Sequence, residues 1–530
     1  MMNKYPAEDD EGCIEYKLKL SIEEKDRIEK IATQMKYRLI EGGGEAFYII
    51  GVTDDGFPMG ISEDEIKKTL KILRLAARKI NASIKVIRKN PAKNGYIVEL
   101  FIRLARKTRP PLFITIPVLG NVDCGKSTLI SVLCTGRLDD GKRGAMMKIA
   151  RYLHEIISGR TSSISSHHLG FNRNGEIVNY GIADPLNEAE IFLRSNKIIT
   201  FIDLAGHKRY LKTTVRGVTS RTPDYALLVV AANTGLLKMG REHLGISIAL
   251  KIPIIVVITK TDITPKWVLK NTLEEIVSLL KKPGLNKIPV LIKNLDDIIL
   301  SAKNISSNRI VPIFIVSNVT GSGLDKLIEF LNVIPPRMRW DERISEKSLM
   351  YIEDKFNVRG VGLVVSGLML QGAISKDDYV QVGPFSDGSF RISRVKSIHV
   401  NRINCDRVIP GQEACLALTN IDYNEISKGM VVLDKSINPR ATREFLAKIT
   451  ILKHPTTIKS GYQTVCHIHS VRHTVIFKDM SIEPMRTGDT GMVRLKFLKH
   501  PWYIRKNDTF ILRDSRTRAL GTILELCLLY

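Results

Sequence analysis

Eight consecutive residues carry the most chemistry in this chain: Gly120-Asn121-Val122-Asp123-Cys124-Gly125-Lys126-Ser127. A glycine, four residues and then Gly-Lys-Ser is the spacing of a loop that cradles phosphates. The glycines let backbone N–H groups curl around phosphate oxygens, and a helix opening at Lys126 adds partial positive charge. Lys126 would reach the β- and γ-phosphates, and the Ser127 hydroxyl would ligate Mg2+. The apolar run FITIPVL before the loop, and Leu129, Ile130 and Leu133 after it, place it between a strand and a helix.

The loop alone does not choose the base. Thr259-Lys260-Thr261-Asp262 closes a second apolar run, IPIIVVIT. A carboxylate at Asp262 can accept two hydrogen bonds, from N1–H and the exocyclic amino group of guanine. Adenine offers neither in that arrangement, and it would leave a desolvated carboxylate unpaired. Thr259 stands where asparagine is commoner; it keeps a hydroxyl and loses the amide. Ser317-Asn318, after the last apolar run, would complete the base pocket, with the Asn318 backbone N–H toward the guanine carbonyl oxygen.

Asp203-Leu204-Ala205-Gly206 closes the run KIITFID. Asp203 would hold Mg2+ through water, and the Gly206 N–H would bind the γ-phosphate, so that its loop distinguishes GTP from GDP. His207 follows at once and is placed to orient the attacking water, which makes it the expected catalytic residue. Arg143, Arg151 and Arg160 lie between the two phosphate-contacting segments, but nothing argues that one is a built-in arginine finger. Slow intrinsic hydrolysis, raised by a partner, is expected. The nucleotide-contacting set is thus Gly120, Asn121, Val122, Asp123, Cys124, Gly125, Lys126, Ser127 and Thr128, then Asp203, Leu204, Ala205, Gly206 and His207, then Thr259, Lys260 and Asp262, then Ser317 and Asn318.

These loops need a scaffold. Over 113–338 short apolar runs (113–119, 197–203, 225–231, 252–259 and 311–317) alternate with helical stretches, which predicts a parallel sheet covered on both faces. Pro117 cannot donate to a ladder, so its strand is expected to be irregular or partly paired. Residues 1–112 read as a small α+β unit. It has a strand at 47–52, a helix opened by the capping box Ser62–Glu65 with an apolar stripe of Ile66, Leu70, Leu73, Ala77 and Ile80, and strands near 83–88 and 96–104 joined at Asn94-Gly95. From about 345 the helical period stops, and short Val/Ile/Leu segments broken by Gly, Asp and Pro predict two β-barrels, 346–438 and 440–530. The fold class is thus an α/β phosphate-loop domain followed by two β-barrels, with a small N-terminal α+β domain.

The 530 residues, 44% hydrophobic and 25% charged, suit several globular domains and exclude disorder over most of the length. No apolar run approaches the ~20 residues of a membrane span. The polar, acidic start MMNKYPAEDDEG argues against secretory and mitochondrial leaders. Seven scattered cysteines without metal-ligand spacing fit a reduced, cytoplasmic chain. A net charge of +25 makes nucleic acid the default partner, against a merely solvated basic surface. Residues 51–112 hold 14 basic and 6 acidic residues, and 441–530 hold 15 and 7. In the last barrel Arg513, Arg516 and Arg518 suit phosphate contacts or form a solvated rim. His454, His467, His469 and His473 cluster in sequence. Strand alternation would put His467 and His469 on one face, without the partners of a zinc site, so an RNA-facing strand is expected.

GNVDCGKST, GRTSS (159–163), DLAGHKRYLKTT (203–214), REHLG (241–245), TKTD and SNVTG (317–321) together resemble the GTP-binding protein 1-like family of translational GTPases, in the elongation factor Tu class. The likeness continues through VRGVGLVVSGLMLQG (358–372), HPTTIKSGYQTVCHIHSVRHT (454–474) and LRDSRTRALGTI (512–523). It implies GTP hydrolysis as a switch for tRNA and ribosome engagement, with aminoacyl-tRNA or another RNA as the load. An adaptor in ribosome rescue or mRNA turnover is the alternative. The resemblance places switch I at 160–164, with Ser163 as an Mg2+ ligand beside Ser127 and Asp203, and Thr161 as the runner-up. Ser162 takes the place of an isoleucine that gates the histidine, Val122 matches the other half of the gate, and Asp123 matches a position linked to a monovalent cation. The barrel hairpin Gly360–Gly367 would help hold an aminoacylated RNA end, or its glycines simply serve tight corners. A monomer is implied, with a protein partner for the N-terminal unit, which elongation factor Tu lacks.

Overall fold

The computed structural model describes the chain apart from residues 1–4, 6–7, 9–11, 22–26, 106–109, 143, 151–154, 156–163, 207–220, 283, 515–516 and 529–530. At the N-terminus lie β1 (Ile14–Lys17), α1 (Arg27–Glu41), β2 (Glu45–Ile50), α2 (Glu63–Lys79), β3 (Ala82–Ala92) and β4 (Gly95–Leu104). They form a sheet in the order β1-β2-β4-β3, with β1 parallel to β2 and the other pairs antiparallel. The Ser62–Glu65 capping box opens α2 as expected. The buried stripe of α2 is Ile66, Thr69, Ile72, Leu73, Ala76 and Ala77, with Leu70 and Ile80 only at its margin. β1 and α1 were not foreseen. Strand alternation gives the sheet two apolar faces: Ala46, Tyr48, Ile50, Leu100 and Ile102 meet the helices, while Phe47 and Phe101 join the core of the next domain.

That domain contains β5 (Leu112–Gly120), α3 (Lys126–Thr135), α4 (Gly144–Met147), β6 (Ser165–Phe171), α5 (Glu188–Arg194), β7 (Lys197–Asp203), β8 (Ala226–Ala231), α6 (Lys238–Ala249), β9 (Ile254–Thr259), α7 (Lys266–Leu280), β10 (Ile288–Leu291), α8 (Leu295–Asn304), β11 (Ile310–Ile315) and α9 (Leu324–Val333). The sheet order is β10-β11-β9-β8-β5-β7-β6. The chain winds first to one side of β5 and then to the other, so the loop after β5 opens at the crevice where ligands of such sheets bind. Helices α3, α8 and α9 cover one face, and α6 and α7 the other. One expectation is corrected: the sheet is not wholly parallel, because β6 pairs antiparallel with β7 at the edge. Pro117 behaves as half expected. β5 pairs with β7 from Leu112 to Val118, but with β8 only from Val118 onward. On the β8 side the Thr115 N–H is taken by the Asp224 carboxylate at 2.9 Å, and Pro117 has no donor to offer.

The N-terminal unit docks where β7 begins, at the end of the sheet away from the phosphate loop. Lys197 is fully buried there; its ammonium donates to Glu45 Oε2 at 2.9 Å and to the carbonyls of Asn332 (2.8 Å) and Ile334 (2.5 Å). Arg103 donates from Nε to Glu45 Oε1 at 2.8 Å, and from Nη2 to the Asn332 backbone and side-chain oxygens at 2.9 Å. Burial pushes Lys197 down to about 8, against the pull of Glu45.

The first barrel consists of β12 (Leu349–Tyr351), β13 (Asp354–Val358), β14 (Gly362–Gln371), β15 (Ile374–Ser375), β16 (Tyr379–Gly383), β17 (Arg391–Val400), β18 (Ile403–Cys405), β19 (Arg407–Val408), β20 (Glu413–Leu418) and β21 (Val431–Asp434). It closes because β12 pairs with both β21 and β14. The second barrel closes as β22-β25-β24-β23-β26-β27, from β22 (Thr442–Lys453), β23 (Gln463–Ile468), β24 (Val471–Met480), β25 (Thr490–Phe497), β26 (Thr509–Arg513) and β27 (Arg518–Leu528). One continuous apolar core runs through both barrels. His469 stacks on Tyr351 across the junction, ring centroids 4.4 Å apart, and Arg505 donates to Gln371 at 2.7 Å.

Candidate functional site

The β5–α3 loop has the strained backbone that its glycines allow. At Gly120 φ is 146°, and an added Cβ would lie 2.3 Å from the Val229 carbonyl oxygen, so no side chain fits. Lys126 is buried and donates to the Asn121 carbonyl at 2.7 Å. Ser127 Oγ donates to Asp203 Oδ2 at 2.6 Å, which brings together two oxygen groups of the kind that Mg2+ prefers. A Cβ at Gly206 would lie 2.5 Å from Lys126 Nζ and 2.7 Å from the Asn121 backbone. The second phosphate-contacting segment is thus folded directly onto the first. Cys124 is buried and its thiol donates to the Asn121 carbonyl at 3.0 Å; Asp123 is exposed, with φ of 58°.

The base-selecting segments converge on the same loop. Thr259 Oγ1 donates to the Cys124 carbonyl at 2.7 Å, so the hydroxyl that replaces an amide ties the third segment to the phosphate loop. A Cβ at Gly125 would meet Asn318 Nδ2 at 3.4 Å and Thr259 Oγ1 at 3.7 Å. Ser317 Oγ donates to Asp262 Oδ1 at 2.8 Å and accepts from the N–H groups of Val319 and Thr320. The Asp262 carboxylate is held from one side and exposed on the other, as a group that receives a base edge must be. Asn318 Oδ1 is buried without a hydrogen-bond partner among the described residues. Val122, Thr128, Leu204, Ala205 and Lys260 line these same segments. His207 and Ser163, with Arg143, Arg151, Arg160, Thr161 and Ser162, lie outside the described residues.

Sequence reasoning assigned no role to α6, within REHLG. His243 is buried, and its Nδ1 accepts the Gly120 N–H at 3.1 Å. Burial first, then the charges of Lys126 and Arg513, push it down to about 3, so it is neutral with Nδ1 as the acceptor. The adjacent Glu242 accepts from Arg513 at 3.1 Å and from Arg518 at 2.5 Å. This corrects two expectations: these arginines neither await phosphates nor form a solvated rim, but fasten the second barrel to α6. Arg516 lies outside the described residues. The histidine expectation is also corrected. His454 and His467 are buried, and His469 sits in the β23–β24 turn with φ of 48°, off the face of His467. No group of histidine, cysteine and carboxylates suited to a metal occurs among the described residues.

A cleft of about 610 Å³ separates β6 and α5 from the first barrel. Val361, Val364 and Phe356 form its apolar wall; His168, Arg221 and Glu413 are among its polar groups. Arg221, which the sequence did not single out, pairs with Glu353 at 2.9 Å and with Glu413. Gly360 and Gly362 have φ of 78° and 95° with open space beside them, so they serve the turn, while the valines they expose line the cleft.

Family models for the elongation factor Tu GTP-binding domain and for elongation factor Tu domain 2 match residues 112–336 and 362–433. GTP-binding protein 1 of Xenopus laevis is 42% identical over 503 residues, 94% of this chain and 77% of its own length. GTP-binding protein 2 of Homo sapiens is 42% identical over 533 residues, 98% and 88% respectively. Among solved structures, translation elongation factor SelB from Methanococcus maripaludis with the GTP analogue GPPNHP aligns with a TM-score of 0.55 at 19% identity, over 79% of this chain and 80% of that one.

Proposed function

Because this chain belongs to the GTP-binding protein 1-like family of translational GTPases, and so binds and hydrolyses GTP, we propose that it uses the reaction to hold and release aminoacyl-tRNA, or another RNA, at the ribosome. Lys126 and the loop N–H groups bind the phosphates. Asp262, braced by Ser317, reads guanine. Gly206 senses the terminal phosphate, and His207 orients water against it. Ser127, Asp203 and Ser163 would hold Mg2+, which neutralises charge between the β- and γ-phosphates, and Asp123 would border a monovalent cation.

The observation that carries the RNA reading is the cleft between the edge strand and the first barrel. Its volume suits a small ligand or one end of a larger one. Its apolar wall fits an acyl group or a base, and Arg221 and His168 offer donors to a sugar or ester oxygen. Arg221 stands 14 residues after His207 in the sequence. The expected result is tighter filter binding of aminoacylated than of deacylated tRNA in the GTP-analogue form, lost with GDP. In the same assay system, His207→Ala should keep GTP binding and lose ribosome-stimulated turnover by about 10²-fold or more. Equal binding of charged and uncharged tRNA in both nucleotide states would remove the delivery reading and leave the adaptor role.

A further inference from the structure

Two groups of basic residues in 51–112 differ in what they face. Two on β3 are consumed against the GTPase domain: Lys85 pairs with Glu329 at 3.2 Å, and Arg88 pairs with Asp296 there as well as with Glu99 of β4 at 2.5 Å, while Lys89 turns back to Glu63 at the start of α2. Four on α2 are not consumed. Lys68, Lys71, Arg74 and Arg78 are exposed and have no ion-pair or hydrogen-bond partner among the described residues. At the ends of the helix, Lys67 pairs with Asp64 at 3.5 Å and Lys79 with Glu29 at 2.7 Å. The four free cations recur at i, i+3, i+6 and i+10, so they form one row about 15 Å long.

The row points away from the rest of the molecule. The opposite side of α2, with Ile66, Ile72, Leu73 and Ala76, packs on the N-terminal sheet, and the far side of that sheet docks on the GTPase domain. The dock is fixed by buried charge, so the row has a constant place relative to the nucleotide site. Like charges three and four residues apart repel one another on a helix, and a polyanion relieves that repulsion. Within the row the only large apolar side chain is the half-buried Leu75, a single leucine ringed by Lys68, Lys71, Arg74 and Arg78, which leaves no wide apolar face to enter a bilayer and makes charge the dominant feature. An even line of cations matches evenly spaced phosphates.

We infer that the outer face of α2 is a second RNA-contact surface, which binds the phosphate backbone of a single strand without reading its bases. It lies outside the cleft proposed for the cargo, and it stands or falls independently of the cargo reading.

The test uses the full-length chain, a fluorescein-labelled oligouridine of about 20 nucleotides, and KCl from about 50 to about 200 mM. The variant is Lys68→Gln, Lys71→Gln, Arg74→Gln and Arg78→Gln together. A control removes the same charge from α7 and its end: Lys266→Gln, Lys270→Gln, Lys281→Gln and Lys282→Gln. Unchanged GDP affinity and circular dichroism establish that both are folded. Four phosphate contacts on a single strand predict a fall of about 3 in the slope of log affinity against log salt. The advantage of wild type over the α2 variant should then shrink about 50-fold across that range, while the control keeps the wild-type slope. An unchanged slope in the α2 variant, or an equal fall in the control, overturns the inference. So does loss of polyglutamate binding with RNA binding intact, which would assign the face to an acidic protein. An oligouridine carries no acyl group, so failure of aminoacyl-tRNA discrimination leaves this result readable.

Discussion

Two charged junctions fasten accessory units to the GTPase domain, and they are built differently. At the N-terminal dock, Glu45, Arg103 and Lys197 are 0–3% exposed, and their remaining donors end on oxygens of α9, of the segment after it and of Asn172 just after β6. At the second-barrel latch, Arg513 and Glu242 are also buried, at 7% and 9%, but Arg518 keeps 31% of its side-chain surface, and the shared carboxylate, Glu242, is next in sequence to the histidine that holds the phosphate loop. Charges freed at the dock cannot reach water unless the fold opens. At the latch one of the two cations, Arg518, already reaches it. The difference separates a permanent joint from a releasable one. The releasable joint sits beside the nucleotide, and the permanent one at the other end of the sheet.

The sharpest way to break this contrast is Glu45→Ala. It strands two buried cations and should cost about 3–5 kcal/mol of stability, read from urea unfolding. A loss below about 1 kcal/mol would show that the dock is as yielding as the latch.

Acid should separate the two ends next. His167 and His168 in β6 are held down to about 4 and His243 to about 3, chiefly by burial. Between pH 6.5 and those values the unfolded chain binds more protons than the folded one, so stability falls as pH falls. Each histidine adds a slope of up to about 1.4 kcal/mol per pH unit. Residues 1–112 contain no histidine. Hydrogen exchange at pH 5 should therefore loosen β6 and α6 before the N-terminal sheet, and His243→Gln, whose amide oxygen can still accept from Gly120, should flatten the slope.

The smallest effect on stability belongs to Glu242→Ala. It should lower stability less than Glu45→Ala does, because one of the two cations it leaves, Arg518, is already 31% exposed, yet expand the molecule in small-angle scattering, most in the GDP form. Lys126→Ala, expected to abolish nucleotide binding, should erase that nucleotide dependence and leave the dock untouched. A Glu242 variant as compact as wild type would remove the latch.

The phosphate and base segments were legible because their chemistry is local: glycines, Lys126, Ser127 and Asp262 act at fixed offsets within a few residues. The strands that carry them showed as apolar runs because both faces of the sheet are covered. β6 did not, since SSHHLGF lies at an edge and mixes polar with apolar positions. The two junctions were hidden for another reason. Glu45 and Lys197 are 152 residues apart, and Glu242 and Arg513 are 271 apart, so nothing local marks either pair. The arginines of the last barrel therefore read as phosphate binders or a solvated rim, and the histidines there as an RNA-facing strand, until their partners and burial were seen.

The merged interior of the two barrels limits what hydrolysis can do to them. With His469 stacked on Tyr351, and with apolar side chains running unbroken from one barrel to the other, neither can pivot alone. They form a single arm seated on the GTPase domain by Arg221 near the cleft, by Arg402 on Glu188 at 3.2 Å, by apolar contact with Ile191, Phe192 and Ile198, and by Glu242 at the far barrel. Such an arm is either seated or not, and its output is a step rather than a gradient.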